Sequence, residues 1–289
     1  MIFAALRDLQ WRRRRIVIAI VGTGLVFAMS LLMSGLANSF SVEVNRTLDR
    51  QGAQAWVILA TSPGAFSPGS FLLPGDVAAI IATTGPQSTP VLYGSAVADL
   101  GRSRPADVSV MGIGEGGLAQ PSHLVEGDSL LGEGKVITPR SLGLHTGDQL
   151  SLSGRVFTVS GVVDTASVLA GLPLLQMDLA DAQGVLVGGQ PVVSTVLTTD
   201  ANPTLPAEYR TQDKPAVARG LMRPLKNAVQ SIQFVKALLW LVAALVLAAV
   251  VYLGVLDRTR DIAVFKATGA STAAVGAGVC VQAVVVAVL

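Results

Sequence analysis

Cysteine is almost missing from this chain: Cys280 stands alone in 289 residues. An intrachain disulfide is therefore impossible, and any exported part must be held by its own core. Histidine is scarce too. His123 and His145 each stand without a second histidine, cysteine or carboxylate at metal-ligand spacing, which argues against a metal centre. No G-x-S-x-G elbow accompanies the serines and the acidic residues show no paired arrangement, so no catalytic constellation emerges. Charge is thin at 14%, against 51% hydrophobic residues and a mean hydropathy of +0.58. Such a chain is too apolar for an ordinary soluble protein and too polar to lie wholly in lipid. It reads as part membrane, part water-exposed domain.

What is present is a set of long apolar runs. In "QWRRRRIVIAIVGTGLVFAMSLLMSGL", Ile16 to Leu36 carries no charge over about 21 residues, which at about 1.5 Å each covers a hydrocarbon core of about 30 Å. A secretory signal has an apolar region of about 7 to 15 residues and a small-residue cleavage site. This run is longer, and "SGLANS" after it is a weak cleavage site, so the segment is read as a retained anchor. Two further runs follow, "ALLWLVAALVLAAVVYLGVL" (237–256) and "TAAVGAGVCVQAVVVAVL" (272–289). The last reaches Leu289 without a polar flank, and the expectation is a chain cut short before a fourth span.

Charge placement orients these runs, since lysine and arginine gather in short cytoplasmic segments. Residues 1–15 and 257–271 together hold eight basic and three acidic residues, whereas 37–224 holds eleven basic and sixteen acidic. The amino terminus is therefore expected in the cytoplasm and the long middle segment outside it. The basic balance is a topology signature, and no nucleic-acid partner is expected. Residues 1–15 read as a cytoplasmic interfacial helix, with Trp11, Arg12, Arg13, Arg14 and Arg15 anchoring it to membrane lipids.

Between the first two spans the pattern changes. Phe40, Val44 and Leu48 recur every four residues and continue the first span, 16–36, as a stalk; a second stalk from Pro224 carries Leu225, Val229, Ile232 and Val235 into the second span, within 225–256. "AQAWVIL" reads as a buried strand, "PGDVAAIIATT" as a helix with Asp76 near its start, and "LQMDLADAQGVLVGG" as a helix ended by glycine. "GDQLSLSGRVFTVSGVV" is a hairpin turning at Ser153-Gly154, and "VVSTVLTT" is another strand. "DANPTLPAEYRTQDKP" reads as a polar linker. Residues 37–224 thus form an extracytoplasmic α+β domain, with room for two lobes.

Two glycine patterns imitate nucleotide sites. Gly112, Gly114 and Gly117 follow the strand "DVSVM", but a dinucleotide site needs a helix to open there, and Pro121 argues for a glycine-rich turn instead. "GEGKV" lacks the earlier glycine and the following Ser or Thr of a phosphate loop, so no cofactor is expected in this chain. "NRT" at Asn45 matches the glycosylation triplet by chance. Small residues lie one turn apart at Ser30 and Ser34, Ala244 and Ala248, and Ala274 and Gly278, a spacing that lets helices approach closely.

The most informative stretch is "LDRTRDIAVFKATGAS". It is short and basic, with Asp261 early in a helix, Ile262 and Phe265 on one face, and Gly269 able to end it. At "DRTRDIAVFKATGAS" the sequence resembles the FtsX-like permease family, and "LVEGDSLLGEGKVITPRSLGLHTGDQLSLSGRVFTVSGVVD" is similar to the MacB-type extracytoplasmic domain. The alanine, valine and glycine richness and the opening "FAALRDLQWRRRR" resemble actinobacterial members.

The resemblance implies an α-helical multi-pass membrane protein of the type VII ABC class, with three spans here and four in the full chain. A large α+β MacB-type domain would lie between spans one and two, in the bacterial plasma (inner) membrane. It implies a permease that moves its extracytoplasmic domain by mechanotransmission, paired with a second permease copy, a homodimer or close paralogue, and driven by a separate cytoplasmic ABC ATPase subunit that holds ATP and Mg. An extracytoplasmic protein is a further partner it allows. By motif match, Arg258, Arg260, Asp261, Phe265 and Lys266 of a coupling helix at 257–271 would contact the ATPase, and Gly269 would turn the chain into the third span, 272–289. The chain itself is expected not to be an enzyme. The alternative from another class is an FtsX-like activator of a cell-wall peptidoglycan hydrolase, which the large exported domain disfavours.

Overall fold

The computed structural model describes residues 13–67, 69, 71–101, 104–164, 171–223, 226–256, 263 and 267. They divide into two compact units, one drawn from Asn38–Lys226 and one from Met1–Ala37 with Asn227–Leu289.

Helix α1 runs unbroken over Arg13–Arg50. Its first half is the uncharged run of the sequence, and large apolar side chains such as Leu25, Leu31 and Leu32 stay exposed, as a lipid-facing helix requires. Further along, Val44 and Leu48 share one face and are both buried. The helix stops where Gly52 takes a left-handed φ of 68°, with Gln51 N donating to Leu48 O at 3.2 Å and Gly52 N to Asp49 O at 3.1 Å.

Among its described residues, the unit from Asn38 to Lys226 is built on ten strands: β1 Ala55–Leu59, β2 Thr89–Asp99, β3 Pro105–Ile113, β4 Leu124–Gly127, β5 Lys135–Pro139, β6 Gln149–Leu152, β7 Arg155–Val163, β8 Leu174–Asp178, β9 Thr195–Thr198 and β10 Tyr209–Asp213. Their order is β10-β1-β9-β2-β3-β8-β5-β7-β4, and β6 pairs with both β2 and β7. That extra pairing closes β2, β3, β8, β5, β7 and β6 into a barrel, which removes the unpaired edges an open sheet would expose. Alternation along the strands fills the inside: Leu92, Val108, Val110, Val136, Leu150, Leu152, Phe157, Leu175 and Met177 are buried together. The β6–β7 hairpin turns at Ser153 and Gly154, both at positive φ, and pairs Leu150 with Phe157.

Strand β2 belongs to two regions. Its start, Thr89–Val91, pairs with β9, and its end, Ala98–Asp99, pairs with β6. Beyond β9 lie β1 and β10, an extension of the barrel wall with β10 at its open edge. Helix α2, Pro74–Thr84, covers part of this extension through Ile80. Asp76 caps its start: one carboxylate oxygen accepts Leu73 N at 2.9 Å and the other accepts the Tyr209 hydroxyl at 2.7 Å. Helix α3, Leu179–Leu186, packs on β2 and β3 and is capped by Asp178, which accepts Ala180 N at 2.8 Å. Helix α4, Lys214–Leu221, follows β10, and the chain then enters α5, Lys226–Leu256.

The structure corrects the expected fold class. The described residues are mostly α+β with a closed barrel, and one helix among them, α1 over Gly24–Arg50, is long and apolar enough to cross a membrane. The apolar stretch found in α5, Gln230–Val246, is shorter. An α-helical multi-pass class is therefore not what the fold shows; most of the chain is spent on the barrel and its extension. The expected third span at 272–289 lies outside the described residues.

A smaller correction concerns the polar linker. "YRTQD" within it is strand β10, and α4 follows directly. An edge strand needs only one partner, so it tolerates the polar composition that reads as loop.

Candidate functional site

The residues expected to meet an ATPase, Arg258, Arg260, Asp261, Phe265, Lys266 and Gly269, lie outside the described residues, as do Trp11 and Arg12. Arg13, Arg14 and Arg15 form the first turn of α1. What the structure does place is the junction where α1 enters the sheet.

That junction is built from a shared core. Val44 and Leu48 of α1 and Val217 and Leu221 of α4 are buried in one cluster with Trp56 of β1, Met111 of β3 and Leu174 of β8. The chain segments leading to and from α1 and α5 are thus rooted in the same apolar body. An ion pair between Asp49 of α1 and Lys214 of α4 links them again at the surface. Exposed pairs of this kind add little stability, so the apolar cluster holds the joint.

The corner itself is polar and buried. Trp56 Nε1 donates to Gln51 Oε1 at 3.0 Å, and Ala119 N donates to Gln51 O at 2.9 Å. Ala119 lies in residues 114–123, a strap that leaves β3 and runs to β4. Leu118 N is held by Thr89 Oγ1 at 3.0 Å, and Gly117 N by Gln87 O at 3.3 Å. Beside the corner lies a cavity of about 30 Å³ lined by Thr47, Arg50, Gln51, Gln120, Ser122 and Gln176 among others. That is room for a few water molecules, well below the few hundred Å³ of a drug-sized ligand pocket.

The glycine pattern of the sequence spans the end of β3 and the strap, and the structure explains it by packing. A Cβ on Gly112 would collide with Ala182 of α3, one on Gly114 with the Pro90 ring, and one on Gly117 with Gln87 Oε1. No helix opens after these glycines; the chain goes through turns to β4, as expected. "GEGKV" is the turn into β5, with Gly134 N donating to Asp181 Oδ2 at 2.7 Å. Among the described residues no cluster of three or more histidines, cysteines or carboxylates could hold a metal ion.

His145 Nδ1 and Glu126 Oε2 are 3.1 Å apart, and Thr146 N donates to Glu126 Oε1 at 3.1 Å. The hydrogen bond from His145 comes first among the causes that hold the Glu126 carboxyl below its ordinary range. The pair is exposed and ties the β4 edge to the loop before β6. Tyr209, whose hydroxyl donates to the Asp76 carboxylate, has its pKa pushed up to about 12, chiefly by that hydrogen bond. Burial raises the pKa of Tyr93, against the opposing effect of its 3.1 Å contact with Ser109 Oγ.

In the other unit, α1 and α5 face each other antiparallel. Trp240 Nε1 donates to Ser30 Oγ and Lys236 Nζ to Ser34 Oγ, both at 3.1 Å, and the Phe27 and Trp240 rings meet edge to face at 5.4 Å. The small residues Ser30 and Ser34 thus do serve helix contact. On α5 the buried small residue is Ala243, while Ala244 and Ala248 are exposed.

Comparison with known proteins supplies the class. No family model matches the chain. An uncharacterized ABC transporter permease of Mycobacterium bovis is 39% identical over 299 residues, covering 100% of this chain and 82% of its own length. In Mycobacterium tuberculosis one uncharacterized ABC transporter permease matches with the same figures, and another is 38% identical over 290 residues. Among solved structures, the extracellular domain of the ABC-type transporter YknZ from Gram-positive bacteria aligns at a TM-score of 0.42 and 13% identity, covering 55% of this chain and 98% of that one. The periplasmic region of MacB from Actinobacillus actinomycetemcomitans aligns at 0.42 and 15%, covering 61% and 96%. The chain belongs to the ABC transporter permease family. Such a subunit works in a membrane beside a partner ATPase, as the family resemblance implied.

Proposed function

We propose that this permease is a mechanotransmitting subunit. ATP hydrolysis, with Mg, takes place in a separate cytoplasmic ABC ATPase and moves the barrel-bearing domain outside the cell, for export or for extraction of a substrate from the outer leaflet. One observation supports this most: α1 is a single helix of 38 residues, about 57 Å at 1.5 Å per residue, whose last turns bury Val44 and Leu48 in the sheet's core. A helix so rooted passes on a displacement that a flexible linker would absorb.

In this reading the amino terminus is cytoplasmic and Trp11 with Arg12 to Arg15 marks the inner leaflet. The segment 257–271 is the coupling element, with Arg258, Arg260, Asp261, Phe265 and Lys266 against the ATPase and Gly269 ending it. A second permease copy completes the assembly.

Affinity purification of the intact protein tests the proposal. Recovery of an ATPase whose hydrolysis is stimulated by exported substrate or lipid supports it, and recovery of a peptidoglycan hydrolase in its place replaces it with the activator function. Phe265→Asp is expected to cut ATPase recovery at least tenfold, because a charge would face an apolar contact. Unchanged recovery refutes the coupling assignment.

A further inference from the structure

Gln51 closes α1 and holds three partners at once. Its N–H completes the last turn to Leu48 O, its side-chain Oε1 accepts the Trp56 indole N–H, and its carbonyl accepts Ala119 N. Those partners belong to the helix, to β1 and to the strap that joins β3 and β4 of the barrel region. Gln51 is 5% exposed, so these bonds are largely shielded from bulk water. With the side chain anchored on Trp56, the peptide presenting the Gln51 carbonyl cannot turn away from Ala119.

Ala119 provides an independent sign. Its φ is 59°, the left-handed region, which costs a residue with a Cβ on the order of 1 kcal/mol or more. It is held there from both sides: its N–H is bound to Gln51, and its carbonyl accepts Gln176 Nε2 of β8 at 3.4 Å. Strain kept where a helix end meets a barrel loop marks a contact that the surrounding structure over-determines.

We infer that Gln51 is a positioning residue that makes the α1–β1 corner a rigid joint, so that displacement of α1 reaches the barrel through the strap. The inference rests on the transmission function proposed above and adds where the motion is carried. A leucine at 51 keeps similar volume but offers no acceptor, freeing both the corner peptide and the Trp56 indole N–H.

The test uses the intact permease with its co-purifying ATPase in lipid nanodiscs. Cys280→Ser removes the native thiol, and spin labels go on Val42→Cys in α1 and Val156→Cys in β7, both exposed. The expected label-to-label distance distribution is narrow and identical with and without Mg-ATP. Gln51→Leu is expected to widen it at least twofold, and Gln51→Glu, which keeps an acceptor oxygen, to restore it. If Gln51→Leu does not fold, Trp56→Phe removes the bond from the donor side and carries the same expectation. An ATP-dependent shift in the parent protein, or a folded acceptor-less or donor-less variant as narrow as the parent, overturns the joint. A separate readout keeps the two proposals apart: a fluorophore at Val42→Cys is quenched by nitroxide headgroup lipid, with and without ATP. No ATP response there sinks the transmission function, while the distribution widths still decide the joint.

Discussion

The two regions that share β2 solve opposite problems. The barrel of β2, β3, β8, β5, β7 and β6 has every strand paired on both sides and a filled interior. The extension of β9, β1 and β10 ends in an open edge and is stabilised by what packs on it: α2, α4 and the end of α1. Closure makes a body that keeps its shape without help from neighbours. The open extension, by contrast, is where helices from elsewhere in the chain can be built into the core.

Breaking that contrast is the sharpest way to examine it. The largest effect is expected from Trp56→Ala, which empties a fully buried site in the extension and leaves Gln51 Oε1 without its donor. It should cost about 3–5 kcal/mol, and amide exchange should accelerate more in β1, β9 and β10 than in β7. Equal acceleration would show that the two regions unfold as one. Gly112→Ala presses a methyl against Ala182, and Leu179 Cα lies 3.3 Å from the added carbon, so α3 must shift off the barrel wall. A loss of about 1–3 kcal/mol is expected in denaturant unfolding, felt in β2 and β3 first.

A gain is expected inside the barrel. The Thr138 hydroxyl on β5 is buried with no hydrogen-bond partner, so Thr138→Val should stabilise by about 1 kcal/mol, read as a raised unfolding midpoint. A lowered midpoint would mean that the hydroxyl is satisfied after all. The smallest effect belongs to the extension. Asp76→Ala removes the α2 cap and should cost about 1 kcal/mol. Because the Tyr209 pKa is raised from 10.0 to about 12, its bond to Asp76 stabilises the fold fully below pH 10 and is lost as pH climbs toward 12. The variant should therefore show a weaker fall in stability across that window than the parent, in a pH series of thermal melts. The same slope in both would disconnect Tyr209 from Asp76.

Much of the local structure was legible in the residues. The uncharged run after Arg15 and the four-residue recurrence of Val44 and Leu48 mark α1, and Ser153-Gly154 between alternating strands marks the β6–β7 hairpin. Proline at 74 with Asp76 marks the start of α2. What stayed hidden depended on partners far along the chain. β10 reads as linker because a polar strand at an edge has no periodic apolar signal. Gln51 carries no motif at all, since its role comes from Trp56 close by and Ala119 far away in sequence. Barrel closure depends on β6 meeting β2 about fifty residues earlier, a pairing that no local pattern encodes.

Periodicity, charge and glycine placement are properties of neighbouring residues, so the sequence by itself determined most of the local elements, the long apolar run of α1 and the kinship with ABC transporter permeases. Which apolar faces share a core, where the strands close on themselves and which buried amide joins a helix to a barrel were decided only in three dimensions. The physical reason is that burial and hydrogen-bond satisfaction are judged over the whole assembled chain, where residues distant in sequence compete for the same few partners.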